Sequence, residues 1–328
     1  MKNLLLSTTV ASLLALSPAA FAKGPIDGKV YGKVNVSVVN TDTNSGDMWE
    51  LNSNASRIGF KGTTEISDGL EVFYQAEFEI AVDDGSFSNK TKGTEQDIDT
   101  DKVTLKQRNI MGGIRGGFGS VLAGKHDSPT KLAQKKIDLF NDLEGDIKNT
   151  FEGENRLSNI VAYSTPKVSG LQATLAMIPG EDEATDNGLA DGLSYSLSYS
   201  ADDLYIAIAG DQDIDSQDLL RIVSQYKMDA LKLGFMYQQN EKNDGSLDES
   251  GYFISAAYKV DELTYKAQFG TVENDVTGDE EQTFSLGADY KLGKKTKAFV
   301  FYTDNSDSIV SGADKDETSF GLGLEHKF

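Results

Sequence analysis

The sequence predicts an all-β fold, a transmembrane antiparallel barrel of sixteen strands, and three observations predict it. The last ten residues alternate, with Phe320, Leu322, Leu324, His326 and Phe328 on one face and Ser319, Gly321, Gly323, Glu325 and Lys327 on the other. Side chains of a strand alternate with period two, so one face suits lipid and the other water. Residues 1–22 read as a cleavable export signal: Lys2 is its positive start, Leu4 to Leu16 its apolar stretch, and Ala20-Phe21-Ala22 its small-x-small cleavage site. Downstream no run of ~18 uninterrupted apolar residues occurs, so a membrane-integral chain of this sequence must cross as a closed barrel. The expected organisation is a signal over 1–22 and one barrel domain over 23–328.

Composition fits a barrel with a wet interior. Hydrophobic residues make up 38% and charged residues 25%, and such a wall needs apolar side chains on only about half of its strand positions. The 32 glycines, 13 tyrosines and 16 phenylalanines, against 5 prolines and 1 tryptophan, suit tight turns, close strand packing and interfacial girdles. Without cysteine, neither a disulfide nor a thiolate metal site can form. The formal charge of −21 becomes −22 once Lys2 leaves with the signal, which disfavours nucleic acid as a partner and attracts cations.

The strand count comes from the connectors. Seven short ones read as tight turns: Ile66–Gly69, Gly116–Gly119, Pro166–Gly170, Ser200–Asp203, Met228–Ala230, Val260–Glu262 and Leu292–Lys295. Eight longer polar stretches alternate with them, near 40–48, 84–104, 125–155, 179–191, 211–217, 240–250, 273–281 and 304–316. Short periplasmic turns and long outer loops are the usual asymmetry of such barrels, and both termini then fall on the short-turn side. The intervening segments alternate as strands should. Ile58 and Phe60 oppose Arg57, Gly59 and Lys61, while Val72, Tyr74, Ala76 and Phe78 oppose Glu71, Phe73, Gln75, Glu77 and Glu79. Leu204–Ala209 is ambiguous, and Leu219–Met228 reads almost as a helix.

These segments resemble the general diffusion porins of Gram-negative bacteria over essentially all of 23–328, and most of all the acidic porins of marine gammaproteobacteria. The resemblance rests on Asp27–Lys33, Ser56–Gly62, Arg108–Asp127 with its Gly-Gly-Phe-Gly-Ser core, Arg156–Tyr163 and the terminal Phe328. It implies passive, non-specific passage of ions and small hydrophilic solutes, with no cofactor and no metal. It also implies a pore narrowed by the third long loop, His126 to about Asn155, although the family's usual Pro-Glu-Phe-Gly-Gly run is absent there. Wall arginines of the family correspond to Arg57, Arg108 and Arg156, and Lys33, Lys61 and Lys125 extend that basic ladder. Parity puts Arg57 on the lumen side, and charge on the lipid face would cost ~2–4 kcal/mol near the midplane. Opposing acids are expected at Asp138, Asp142, Glu144 and Asp146, giving a transverse field across the pore.

Selectivity and partners are expected on the same footing. From His126 to Thr150 five acids face four lysines, so the loop is nearly balanced, and the acid excess lies elsewhere, as in Asp97–Asp101 and Glu181–Glu183. A negative vestibule with a reach of about 8–10 Å predicts modest cation preference, stronger in dilute salt. A substrate-selective porin is the alternative, since the third-loop lysines would suit phosphate; a surface adhesin or phage receptor using the acidic loops is another. The resemblance implies a homotrimer, contact with lipopolysaccharide and outer-membrane lipid, and folding by the barrel-assembly machinery, with Phe328 as the assembly signal. Gly112, Gly113, Gly116, Gly117 and Gly119 suit close contact between subunits.

Enzymatic readings fare poorly. His126-Asp-Ser128 has a His-x-Ser spacing that sets both side chains on one strand face, but Pro129 follows at once. Asp97-x-Asp-x-Asp101 opens like a calcium loop, yet Lys102 replaces the turn glycine and Arg108 the closing glutamate.

Overall fold

The computed structural model describes residues 27–83, 105–181, 188–310 and 312–328. The expected signal (1–22), the second long loop (84–104) with its calcium-like Asp97–Asp101, and most of the Glu181–Glu183 run lie outside the described residues. All strands join one sheet that closes on itself. The first are β1 (Asp27–Thr43), β2 (Gly46–Ser53), β3 (Arg57–Ser67), β4 (Leu70–Ile80), β5 (Leu105–Gly116) and β6 (Gly119–Asp127). The third loop follows, with helix α1 (Pro129–Ala133) and a 3₁₀ turn (Ile147–Asn149). Next come β7 (Arg156–Ser164), β8 (Leu171–Ile178), β9 (Gly192–Ala201), β10 (Leu204–Ile214), β11 (Gln217–Met228) and β12 (Leu231–Lys242). The last are β13 (Asp248–Val260), β14 (Leu263–Asn274), β15 (Glu280–Lys291), β16 (Thr296–Ser308) and β17 (Lys315–Lys327).

Seventeen segments make sixteen wall strands, because β2 and β3 lie end to end along the same edge of β1. The break between them is knitted by polar side chains. Asn35 N–H donates to Ser56 Oγ at 2.9 Å, Asn54 Nδ2 donates to Ser37 Oγ at 2.8 Å, and Ala55 adopts φ 46°. On its other edge β1 pairs antiparallel with β17 from Lys33 to Thr43, which closes the barrel.

All seven expected turns separate strands. Five of the expected long loops are shorter than the sequence suggested: β1–β2, β10–β11, β12–β13, β14–β15 and β16–β17 stay paired through most of those polar stretches. Polar side chains there mark strands that have left the lipid, while their backbone groups still need partners and find them in the neighbouring strand. The outward faces are apolar, and Tyr199, Tyr226, Tyr258, Tyr265 and Tyr290 form a girdle at the short-turn rim.

The core of the molecule lies inside the barrel, between the third loop and the wall. Ile137, Phe140, Ile147 and Phe151 are at most 2% exposed. Ile137, Ile147 and Phe151 pack with Tyr205, Ala207, Val223, Met236 and Phe253, and Phe140 packs with Val39, Phe299 and Phe301. Burying four such side chains stabilises the loop by about 1.5–3 kcal/mol each. The wall carries glycines where they enter: a methyl group on Gly234, Gly270 or Gly287 would sit 2.8 Å from Ile137, Phe151 or Phe140 respectively.

Of the glycines expected at a subunit contact, Gly113 is filled by its own barrel's Phe73 ring and Gly119 by the Ser164 carbonyl, while Gly112 and Gly117 leave open space. Phe328 takes part in closure. Its N–H donates to Gly32 O at 3.1 Å, its carbonyl accepts from Gly32 N–H at 3.3 Å, and its ring lies over Gly32. Deleting Phe328 removes both bonds and the ring contact. The yield of heat-resistant barrel on semi-native electrophoresis is expected to fall, and an undiminished yield would show that closure does not need this residue.

Candidate functional site

Between the third loop and the wall lies a cavity of about 1180 Å³, lined largely by charged side chains. Local irregularities aim the wall arginines into it. The break at Asn54–Ser56 precedes Arg57, whose Nε donates to Ala55 O at 3.1 Å. Arg108 sits at a register shift between β4 and β5, and Arg156 starts β7 beside a second shift where Asn159 has φ 58°. Such bulges bend a strand and re-aim its side chains.

The charges form a continuous zipper rather than two facing rows. Asp142 accepts from Lys33 Nζ and Arg57 Nη2, each at 2.7 Å. Arg57 also faces Glu77 at 3.5 Å, and Arg108 binds Glu77 at 2.9 Å and Glu79 at 2.6 Å. Tyr31 donates to Glu77 at 2.9 Å. Further along, Arg156 pairs with Asp127 at 3.0 Å and donates to Asn109 at 2.8 Å. Across the cavity, Asp289 holds Lys266 and Lys297, each at 2.8 Å.

Lys33, Arg57, Arg108 and Arg156 thus line the cavity, whereas Lys61 and Lys125 are not among its lining residues. Lys61 stacks its ammonium over the Tyr31 ring at 4.6 Å, and Lys125 stands opposite Ile110 in the β5–β6 register. Of the four loop acids, Asp142 reaches the basic wall. Asp146 caps the 3₁₀ turn, accepting from Lys148 N–H at 3.0 Å and Asp142 N–H at 2.8 Å. Asp138 accepts from the backbone N–H groups of Phe140 and Ile147, and Glu144 accepts from Asn52 at 2.7 Å. Burial, reinforced by the Asp146 charge, raises the Asp138 pKa. Burial also pushes Asp142 upward, but Lys33 and Arg57 outweigh it and hold that carboxyl below the usual carboxylate range.

The loop is anchored at its far end by a residue the sequence reading passed over. Arg221, fully buried, donates to Glu154 at 2.7 Å, Glu152 O at 2.7 Å and Gln238 at 2.8 Å. Gln134 adds a bond to Glu154 at 2.7 Å. Removing one partner of such a buried pair costs roughly 3–5 kcal/mol. Glu77, Glu79 and Asp289 were also missed as members of the charge network. The first two share a face of β4, and registering β3 against β4 (Arg57 opposite Glu79) would have found them. The His-x-Ser pair is structural: Ser128 Oγ caps α1, accepting from Lys131 N–H at 3.0 Å, and His126 Nδ1 meets Asp127 O at 2.8 Å.

A closed sixteen-strand barrel with a charge-lined interior narrowed by an inward loop defines a diffusion channel of the bacterial outer membrane. The chain belongs to the Gram-negative porin family, whose pattern matches residues 8–309. It is 23% identical to outer membrane protein U of Vibrio parahaemolyticus, over 96% of this chain and 98% of that protein. It is also 23% identical to the major outer membrane protein P.IB of Neisseria meningitidis, over the full length of both. Among solved structures, an anion-selective porin from Comamonas acidovorans superposes with TM-score 0.77 at 18% identity, covering 92% of this chain and 100% of that one. A trimer form of OmpT from Vibrio cholerae superposes with TM-score 0.67 at 15% identity, covering 92% and 99%. The chain is therefore an outer-membrane porin, a channel and not an enzyme.

Two outcomes test this geometry. Gly270→Val fills the socket of Phe151, so the barrel should still fold while single-channel records become noisier and of higher mean conductance; unchanged records would show that the socket does not hold the loop. A carboxyl with a depressed folded pKa stabilises above its unfolded value of about 3.9 and loses that contribution only as pH falls through the lower folded value. The contact of Asp142 with Lys33 and Arg57 should therefore hold down through the ordinary carboxylate range and be lost below it, giving a conductance step there that is absent in Asp142→Asn.

Proposed function

We propose that this porin passes ions and small hydrophilic solutes passively, through the space between the third loop and the β1–β7 wall. The single observation that carries the reading is the ionic lining of that space, with Lys33, Arg57, Arg108 and Arg156 facing Asp142 and the β4 glutamates. Such a lining orients water and polar solutes and offers no closed pocket for one of them. Assembly as a homotrimer and export through a leader at 1–22 belong to the same proposal; the trimer form among the structural neighbours supports the first.

Selectivity depends on depth. The acidic outer stretches favour cations, which is the basis of the modest cation preference expected from the sequence. The cavity lining favours the opposite sign, since it includes thirteen lysines and arginines and eight aspartates and glutamates. The acids at the mouth act through solvent over about 8 Å at physiological salt, and charges inside low-dielectric walls are screened less. A weakly anion-preferring reversal potential is expected across a gradient of concentrated potassium chloride, drifting toward cation preference as both solutions are diluted. A cation-selective potential of the same size at every salt concentration would overturn this reading, because it would place the determinant among poorly screened charges inside the pore.

A further inference from the structure

The cations that line the cavity are unevenly matched. Seven of the eight lining acids are engaged in ion pairs: Glu79 with Arg108, Asp127 with Arg156, Asp142 with Lys33 and Arg57, Asp146 with Lys148, Glu154 with Arg221, Asp289 with Lys266 and Lys297, and Glu325 with Lys327. The eighth, Asp138, is used by two backbone N–H groups. Among the described residues, Lys106, Lys135, Lys136 and Lys232 line the same cavity with no acidic partner. Three of these four stand together at the short-turn rim.

Their positions are built, not incidental. Lys232 is the second residue of β12, and its Nζ donates to the Lys136 carbonyl at 2.7 Å. Lys135 leaves α1 in the left-handed conformation, φ 57°, which a residue with a Cβ adopts at some cost. That conformation lays its Nζ 4.0 Å from the centre of the Tyr205 ring, and the Tyr205 hydroxyl is in turn tied to Ala133 O at 2.8 Å. Burial and the charge of Lys167, in the turn between β7 and β8, lower the Lys135 pKa. Three ammonium groups gathered without a carboxylate repel one another, and a ligand that brings several negative oxygens relieves the repulsion while accepting their hydrogen bonds. Chloride, with one charge and no fixed geometry, does so less well.

Building on the passive-channel reading, we propose that Lys135, Lys136 and Lys232 form a docking site for a small multivalent oxyanion on the periplasmic side of the constriction. The ligand class is set by charge and oxygen acceptors, so phosphate, a phosphorylated solute and a polycarboxylate share the required chemistry. The site shares the cavity with the Asp142 zipper and stands at the short-turn end of β12.

The test uses inorganic phosphate and citrate as probes on the folded barrel. In detergent, the phosphorus resonance of orthophosphate should broaden saturably with wild-type protein. The apparent affinity should fall by roughly tenfold or more in the Lys135→Gln/Lys136→Gln/Lys232→Gln triple variant. Retention of the heat-modifiable band shows that the variant is folded. Citrate should compete with phosphate if the site reads charge and oxygens generally; failure to compete narrows the class to phosphate. Equal broadening by wild type and triple variant overturns the site. So does an equal loss from Lys294→Gln, a turn lysine outside the cavity, because it would assign the effect to diffuse surface charge. This measurement needs no conduction: absence of channels in potassium chloride would refute the diffusion reading while the phosphate result still decides the site.

Discussion

The contact on which the rest of the structure depends is the insertion of the third loop's apolar side chains into the inner wall. A barrel of sixteen strands is too wide for its own side chains to fill. Something must occupy the lumen if the opening is to be narrow, and it must be held there against water. Here the holding is hydrophobic: Ile137, Phe140, Ile147 and Phe151 are buried against β10–β16 and Val39 of β1, with Gly234, Gly270 and Gly287 opening room in the wall for three of them. Arg221 then fixes the returning limb through Glu154 and the carbonyl of Glu152. The loop is thereby docked against the wall, and the cavity that remains is lined by β1–β7 and by the short-turn ends of β12–β17.

The charge pattern follows from that placement. With the loop held against the far wall, Asp142 reaches back to Lys33 and Arg57 at contact distance. A transverse field needs opposite charges separated across the opening; pairs at 2.7 Å produce a short-range, alternating potential instead. Glu77 and Glu79, interleaved with Arg57 and Arg108, continue that alternation along the wall. A solute moving past meets a sequence of donors and acceptors, each already compensated by a neighbour. Strong binding to any one of them would require breaking an ion pair. This arrangement favours passage over retention and confines any stronger interaction to cations left unpaired.

The fold was legible because lipid imposes period-two alternation wherever the inner face meets water. The last strand and β3–β4 show it plainly. It blurred where the inner face meets the loop. In β10, Ile206 and Ile208 are 44% and 45% exposed toward lipid while Ala207 and Ala209 are at most 1% exposed beneath the loop, so both faces are apolar. In β11, Leu219 and Val223 point inward and Leu220 and Ile222 outward, a spacing that imitates a helix. The blur was itself a signal of where the loop docks. The basic wall positions Lys33, Arg57, Arg108 and Arg156 could be placed on the cavity from motif and parity. The acids of the loop could not be ranked, because Asp138 and Asp146 serve the loop's own turns, a local role that composition does not distinguish from a lumenal one.

A chain with a formal charge of −21 can nevertheless surround its cavity with more cations than anions. The two facts are compatible because the fold sorts charge by position. Among the described residues, exposed acids stand at the hairpin ends beyond the lipid, such as Asp42, Asp47, Asp213, Asp215, Asp275 and Asp316, where solvent screens them. Inside, the wall is lined from strands whose polar face carries Lys33, Arg57, Lys232, Lys266 and Lys297. Screening over about 8 Å separates these populations electrically at physiological salt. On the proposed reading, the net charge of the chain describes what gathers at the mouth, and the residues beside the loop decide what crosses.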